Sequence, residues 1–182
     1  MTDLGDMKYF LGMEVLQCSD EIFICQQKYI SDILNRFKMQ DCKPVSTPIS
    51  TGLNLGKDED SKKVDDSMYR SLIGNLLYLT ASRPHILFVV SLRSRFMHSP
   101  RDTHLTAAKR VLTYIKGTSK FGTFFPTSAD VTMNLIGYSD SDWDGGFDDS
   151  RRTSGYLFCL GTSCFSSRKQ ETKFNQQLKL ST

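Results

Sequence analysis

Tyr69-Arg70-Ser71-Leu72-Ile73-Gly74-Asn75-Leu76-Leu77 is the stretch on which the fold class turns. Tyr69, Leu72, Ile73, Leu76 and Leu77 recur at the spacing that brings side chains to one side of an α-helix, so the segment reads as an amphipathic helix with one buried stripe. Two more stripes follow. Ile86, Val89, Val90, Phe96 and Met97 form the second, after the break at Arg83-Pro84. Leu105, Ala108, Leu112 and Ile115 form the third, entered through Ser99-Pro100-Arg101-Asp102 and closed by Gly117. On the N-terminal side, Tyr29, Ile30, Ile33, Leu34 and Phe37 share a face opposite Lys28, Asp32, Asn35 and Arg36, and Pro44 and Pro48 end that pattern. A small helical bundle is therefore expected in the middle of the chain.

The flanks read differently. Residues 8–15 have the composition of a strand, and residues 21–25 of its partner across a polar turn, so a short β-hairpin is expected over residues 1–25. Residues 49–66 mix Lys57-Asp58-Glu59-Asp60 with Lys62-Lys63 and few apolar residues, which marks a polar linker inside a helical region spanning 26–120. Beyond Gly117 the apolar runs become short and rich in aromatic and β-branched residues, at 121–125, 135–138, 155–160 and 164–167. These read as an antiparallel meander, with the main boundary near residue 120. The fold class is α+β: a hairpin, a helical bundle, then an antiparallel sheet.

Composition narrows the classes of function. With 182 residues, 39% hydrophobic and 24% charged, the chain is an ordinary globular sequence of one domain or two small ones. Its longest apolar run, residues 86–90, is far shorter than the roughly 20 residues of a bilayer span. No membrane partner is expected. The N-terminus has neither a secretory nor a transit pattern, so an intracellular location, cytoplasmic or nuclear, is the expectation. The five cysteines contain no CxxC pair and read as reduced thiols. Cys159 and Cys164 could face each other across a hairpin, where packing is preferred over a disulfide or a metal. A net charge of +3 does not by itself imply nucleic-acid binding, and no Gly-rich phosphate loop precedes a helix.

Two groups of residues could carry chemistry. Tyr138-Ser139-Asp140-Ser141-Asp142-Trp143-Asp144-Gly145 lies at the end of an expected strand, where Asp140 and Asp142 could hold Mg²⁺. Two-metal catalysis needs carboxylates converging from several elements, and a solvated acidic turn is the plainer reading. An EF-hand is rejected because Arg151 occupies its twelfth position. No cofactor is required by these residues. On the third helix Lys109, Thr113, Lys116 and Lys120 share the face opposite the apolar stripe, with Arg110 beside it. Phosphates could dock there, or the face could simply be solvated. His85, His98 and His104 have no partner at a catalytic spacing and read as surface or capping residues.

Several stretches, in order, resemble the copia-type retrotransposon Pol polyprotein. They are Met1-Thr2-Asp3-Leu4-Gly5 with Tyr9-Phe10-Leu11-Gly12; Gln27-Lys28-Tyr29-Ile30; Cys42-Lys43-Pro44 with Thr47-Pro48; Tyr69-Arg70-Ser71-Leu72-Ile73-Gly74; Arg83-Pro84; Arg95-Phe96-Met97; and Ala107-Ala108-Lys109-Arg110-Val111-Leu112. The resemblance implies that residues 1–25 end a polymerase palm, that 26–120 form a thumb or connection gripping an RNA/DNA template-primer, and that 121–182 begin a ribonuclease H domain. Within that domain Gly137-Tyr138-Ser139-Asp140-Ser141-Asp142-Trp143 resembles the first-strand motif, with Asp140 as its metal-binding carboxylate. Arg152-Thr153-Ser154-Gly155-Tyr156 also fits. His85 departs from the Asp usual after Arg-Pro.

The family's polymerase aspartate pair precedes the match to Met1, and its other ribonuclease H carboxylates follow the point near Thr172 where the match stops. The expectation is a truncated chain without polymerase or nuclease activity of its own. A shifted reading frame near Lys173 would account for the tail from Asn175 to Thr182. An incomplete sheet would favour self-association. The alternative is a host-adopted nucleic-acid-binding or interaction module that interferes with intact retroelement proteins.

Overall fold

The N-terminal hairpin turns where two consecutive residues take positive φ. In a computed structural model, which describes residues 7–19, 21–50, 61–126, 134–142, 151–161 and 163–173, Leu11 has φ 47° and Gly12 φ 73°. This is the two-residue turn whose twist suits the flanking strands. It joins β1 (Tyr9–Phe10) to β2 (Met13–Gln17), with Phe10 opposite Met13. The single strand expected over residues 8–15 is thus two strands. Glycine is needed at position 12 twice over, for its φ and because a Cβ there would lie 2.6 Å from Tyr78 Oη. The Tyr78 hydroxyl donates to the Leu11 carbonyl and anchors the turn to the helices.

β3 (Glu21–Cys25) pairs antiparallel with β2, and α1 (Gln27–Arg36) follows directly. Its first turn is satisfied from the sheet. Glu14 Oε1 on β2 accepts from the Lys28 backbone N–H at 2.7 Å, and Glu14 Oε2 accepts from the Cys25 thiol at 3.6 Å. Burial pushes the Cys25 thiol up, helped by Glu14. α2 (Asp66–Leu79) has a local cap, the Asp65 carboxylate accepting from Ser67 and Met68 backbone N–H groups. A 3-10 turn (Pro84–Ile86) leads into α3 (Leu87–Ser94), and α4 (Asp102–Gly117) completes the bundle.

The stripes meet as expected, with one exchange. Tyr69, Leu72, Ile73 and Leu76 of α2 are fully buried, but the fifth core position is Leu79, while Leu77 is exposed. Ile30, Ile33 and Leu34 of α1, Ile86, Val89 and Val90, and Leu105, Ala108, Val111, Leu112 and Ile115 of α4 close around them. Phe96 and Met97 lie beyond the end of α3 and still pack against this core. Among the described residues no helix is long and apolar enough to cross a membrane.

Tyr69 is the polar contact at the centre of the core. It is fully buried, its hydroxyl donates to the Arg93 carbonyl at 2.9 Å, and burial raises its pKa to about 12. The folded phenol keeps its proton to about pH 12, whereas the unfolded one releases it near 10.0. Its contribution is therefore whole below pH 10.0 and is lost as pH rises through about 12. The Tyr69→Phe variant is expected to lose about 1 kcal/mol at neutral pH. It should also show a shallower fall in urea midpoint above pH 10.0 than the parent.

The strand expected at 121–125 belongs to the first sheet rather than to the later meander. β4 (Thr123–Pro126) pairs antiparallel with β3, giving the order β1-β2-β3-β4. The second sheet is the antiparallel meander β5 (Leu135–Asp142), β6 (Arg151–Leu160) and β7 (Ser163–Lys173). It leans on the helical body through β7, where Ser167 Oγ donates to the Pro84 carbonyl at 2.7 Å. Cys159 and Cys164 do face each other across the β6–β7 hairpin, and they are joined as a disulfide where packing of two thiols was expected. Antiparallel pairing sets the two residues opposite each other, and Cys159 is buried. The linker's centre at 51–60, the opening Met1-Thr2-Asp3-Leu4-Gly5, the acidic cluster from Trp143 onward and the tail from Asn175 lie outside the described residues.

Candidate nucleic-acid interface

α4 carries the basic residues singled out by the sequence. Its N-terminal turn is closed by His104, whose Nδ1 accepts from the Arg101 backbone N–H at 3.1 Å while its ring stacks on Phe96 with centroids 3.8 Å apart. His104 is thus a buried capping residue. Leu105, Ala107, Ala108, Val111, Leu112 and Ile115 face the core, which leaves Lys109, Arg110, Thr113 and Lys116 on the outer side. Lys120 is exposed in the turn beyond the helix.

This face is partly covered by an extended strap, residues 42–48. Lys116 Nζ donates to the Cys42 carbonyl at 2.6 Å, and Arg110 Nη2 donates to Thr47 Oγ1 at 3.1 Å. A Cβ on Gly117 would meet Pro44 Cβ at 3.0 Å, so the strap runs close against the helix end. Two of the four basic residues therefore hold backbone or hydroxyl oxygens of their own chain. Lys109 is half-buried and Lys120 is exposed. The strap was legible only as a pair of helix-ending prolines, because residues 42–48 have no period of their own.

A second surface escaped the sequence reading. Met7, Tyr9, Phe10 and Leu11 at the tip of the first hairpin are at least half exposed. Lys28 Nζ sits 6.0 Å from the centroid of the Tyr9 ring, and Tyr29 and Tyr78 pack edge to face behind the turn at 4.8 Å. The consecutive apolar residues Tyr9-Phe10-Leu11 read only as part of a strand, and strand composition does not say which side chains face solvent. In the second sheet Tyr156 and Phe158 share one face with rings 5.2 Å apart, and Phe158 crosses the space that a side chain at Gly137 would fill.

Asp140 and Asp142 lie on β5, opposite Gly155 and Thr153 of β6. Both come from one strand, and among the described residues no group of three or more His, Cys, Asp or Glu is gathered to hold a metal ion. Arg83 and Arg93, at the heart of the fold, are structural. Arg83 and Arg93 are fully buried, and burial lowers both pKa values, that of Arg83 to about 10. Arg83 Nη1 donates to Thr118 Oγ1 at 2.8 Å and Nη2 to the Phe121 carbonyl at 3.1 Å and to the Thr118 carbonyl. Arg93 donates to the Val89 and Ala107 carbonyls.

The family model described as reverse transcriptase (RNA-dependent DNA polymerase) matches residues 1–51. The retrovirus-related Pol polyprotein from transposon RE1 of Arabidopsis thaliana is 39% identical over 171 residues, which are 93% of this chain and 12% of that protein. An uncharacterized mitochondrial protein of the same plant is 37% identical over 94% of this chain and 71% of its own length. The secreted RxLR effector protein 161 of Plasmopara viticola is 42% identical over 57% of this chain and 74% of its own. No solved structure matches. The fold is α+β, a helical body flanked by two small antiparallel sheets, and the chain spans about an eighth of the length of the RE1 polyprotein that it matches. The chain belongs to the reverse transcriptase family of copia-type retrotransposon Pol polyproteins.

Proposed function

We propose that these residues hold an RNA/DNA duplex for the polymerase and ribonuclease H of such an element while performing no chemistry themselves. The observation that carries this reading is the outer face of α4. There Lys109, Arg110 and Lys116 stand on a rigid helix, Lys120 follows in the adjoining turn, and the strap holds Arg110 and Lys116 in place. Fixed cations lose little side-chain entropy on meeting a phosphate backbone, and they release counterions when they do. The strands β5 to β7 carry the ribonuclease H-like part, with Asp140 as a vestigial metal ligand and Mg²⁺ as its weak partner. The resemblance to the family assigns none of these 182 residues to the polymerase aspartate pair.

Binding to a fluorescent RNA/DNA hybrid across a salt series tests the grip. Lys109→Glu with Lys120→Glu leaves the strap contacts intact. This pair is expected to weaken binding about tenfold or more and to lower the salt slope by about 2. Parental affinity in that double variant would sink the reading. Catalytic silence is tested separately in a Mg²⁺-dependent hybrid-cleavage assay, where cleavage abolished by Asp140→Asn would count against it.

A second reading is favoured by one comparison. A relative named as a secreted effector shares 42% identity, so the segment also occurs under a name that is not a polyprotein's. A host-adopted module that binds nucleic acid or intact retroelement proteins would interfere with an intact element; acting through those proteins, it would still inhibit reverse transcription when Lys109 and Lys120 are reversed, whereas acting through nucleic acid it would not.

A further inference from the structure

Thr47 is an exposed hydroxyl followed by Pro48, in a stretch with neither helix nor strand. Its Oγ1 donates to the Ile49 carbonyl at 3.0 Å and accepts from Arg110 Nη2 at 3.1 Å. Arg110 Nε, on the same edge of the guanidinium as Nη2, is buried and has no acceptor among the described residues. That edge is the one through which arginine gives two parallel hydrogen bonds to a carboxylate or phosphate, and a single hydroxyl oxygen uses only half of it. Lys116, two turns further along α4, is tied to the Cys42 carbonyl at the other end of the strap.

We propose that Thr47 is a phosphorylation site for a proline-directed serine/threonine kinase, with Arg110 as the built-in receptor for the phosphate. In the transfer, Thr47 Oγ1 attacks the γ-phosphorus of ATP. The new O–P bond replaces the β–γ bridging bond, ADP leaves, and the hydroxyl proton passes to the kinase's base and then to solvent. The phosphothreonine gives up its donation to Ile49. In return it gains about two negative charges and three acceptor oxygens, and both Nε and Nη2 of Arg110 then have a phosphate oxygen to bind. The product is a strap pinned to α4 by a bidentate ion pair, with Arg110 neutralised. Under the nucleic-acid reading, on which this consequence alone rests, the modified chain holds a duplex less tightly.

The test uses the full chain labelled with ¹⁵N, in a Ser99→Ala background that removes the Ser99-Pro100 pair. The protein is treated with a proline-directed kinase and ATP. One phosphoryl group at Thr47, absent in Thr47→Val, is expected by tandem mass spectrometry. The Arg110 Nε–H resonance, assigned by its loss in Arg110→Lys, is expected to move downfield and to show coupling to phosphorus. Failure of the folded chain to take phosphate at Thr47 overturns the proposal. So does a phosphorylated chain whose Arg110 Nε–H stays unmoved. Neither readout involves nucleic acid, so failure here leaves the duplex-binding reading to its own test.

Discussion

Arg83→Met is expected to destabilise the chain by about 3 kcal/mol, read as a lower urea midpoint, and to loosen the first sheet from the helices. Methionine fills similar space and removes the cost of burying a cation, so two effects compete. The relief is limited because Arg83 already disperses its charge over the Thr118 hydroxyl and the Thr118 and Phe121 carbonyls. The loss is larger. Three part-buried acceptors between the end of α4 and β4 lose their donor, each costing about 1–3 kcal/mol where water cannot enter. The neighbouring contacts fail with them. Ser82 Oγ donates to Gln26 Oε1 at 2.6 Å, and Thr123 Oγ1 donates to the Ser82 carbonyl at 3.1 Å, so residues 82 and 83 together bind α1, α4 and β4. Arg83→Lys should rescue little, because an ammonium cannot span both Thr118 and Phe121 as a planar fork does. Parental stability in Arg83→Met would show that this junction is solvated and that its hydrogen bonds add nothing net.

Gly122→Ala is expected to cost about 2 kcal/mol by overpacking and to strip β4 from β3. A Cβ at this position would run into the Ile24 carbonyl, with Phe23 Cζ at 2.8 Å and Cys25 Cβ at 3.0 Å. The obstacle on one side is backbone within a paired strand, which cannot rotate away as a flexible side chain can. Thr123 opposite Ile24 and Phe124 opposite Phe23 would lose their register first. Amide hydrogen exchange reads this directly: protection at residues 123–125 should fall while that of α2 and α4 is kept. Unchanged protection there would mean that β4 is not held by its pairing with β3.

The helices were legible because their information is local. Tyr69, Leu72, Ile73 and Leu76 announce a buried face by spacing alone, and each stripe found its partner stripes without help from distant sequence. Strands were legible as runs but not as pairs. Residues 121–125 read like the strands after them, yet β4 joins a hairpin about a hundred positions earlier, a choice made by Arg83, Gly122 and the Ser82 carbonyl. The division of residues 8–15 at Leu11 and Gly12 was hidden for the same reason, since Tyr78 on α2 anchors that turn.

Spacing along α4 determined that Lys109, Arg110 and Lys116 would stand together away from the core, because a helix repeats every 3.6 residues whatever surrounds it. Sequence alone also determined the family, since ordered short matches survive without any knowledge of packing. Only the tertiary structure decided which of those cations remain available. It laid residues 42–48 along the helix, gave Lys116 to the Cys42 carbonyl and one half of Arg110 to Thr47, and left Lys120 exposed. The reason is physical. A strap without periodicity owes its path to the few hydrogen bonds it makes far along the chain, and such bonds leave no local pattern to read.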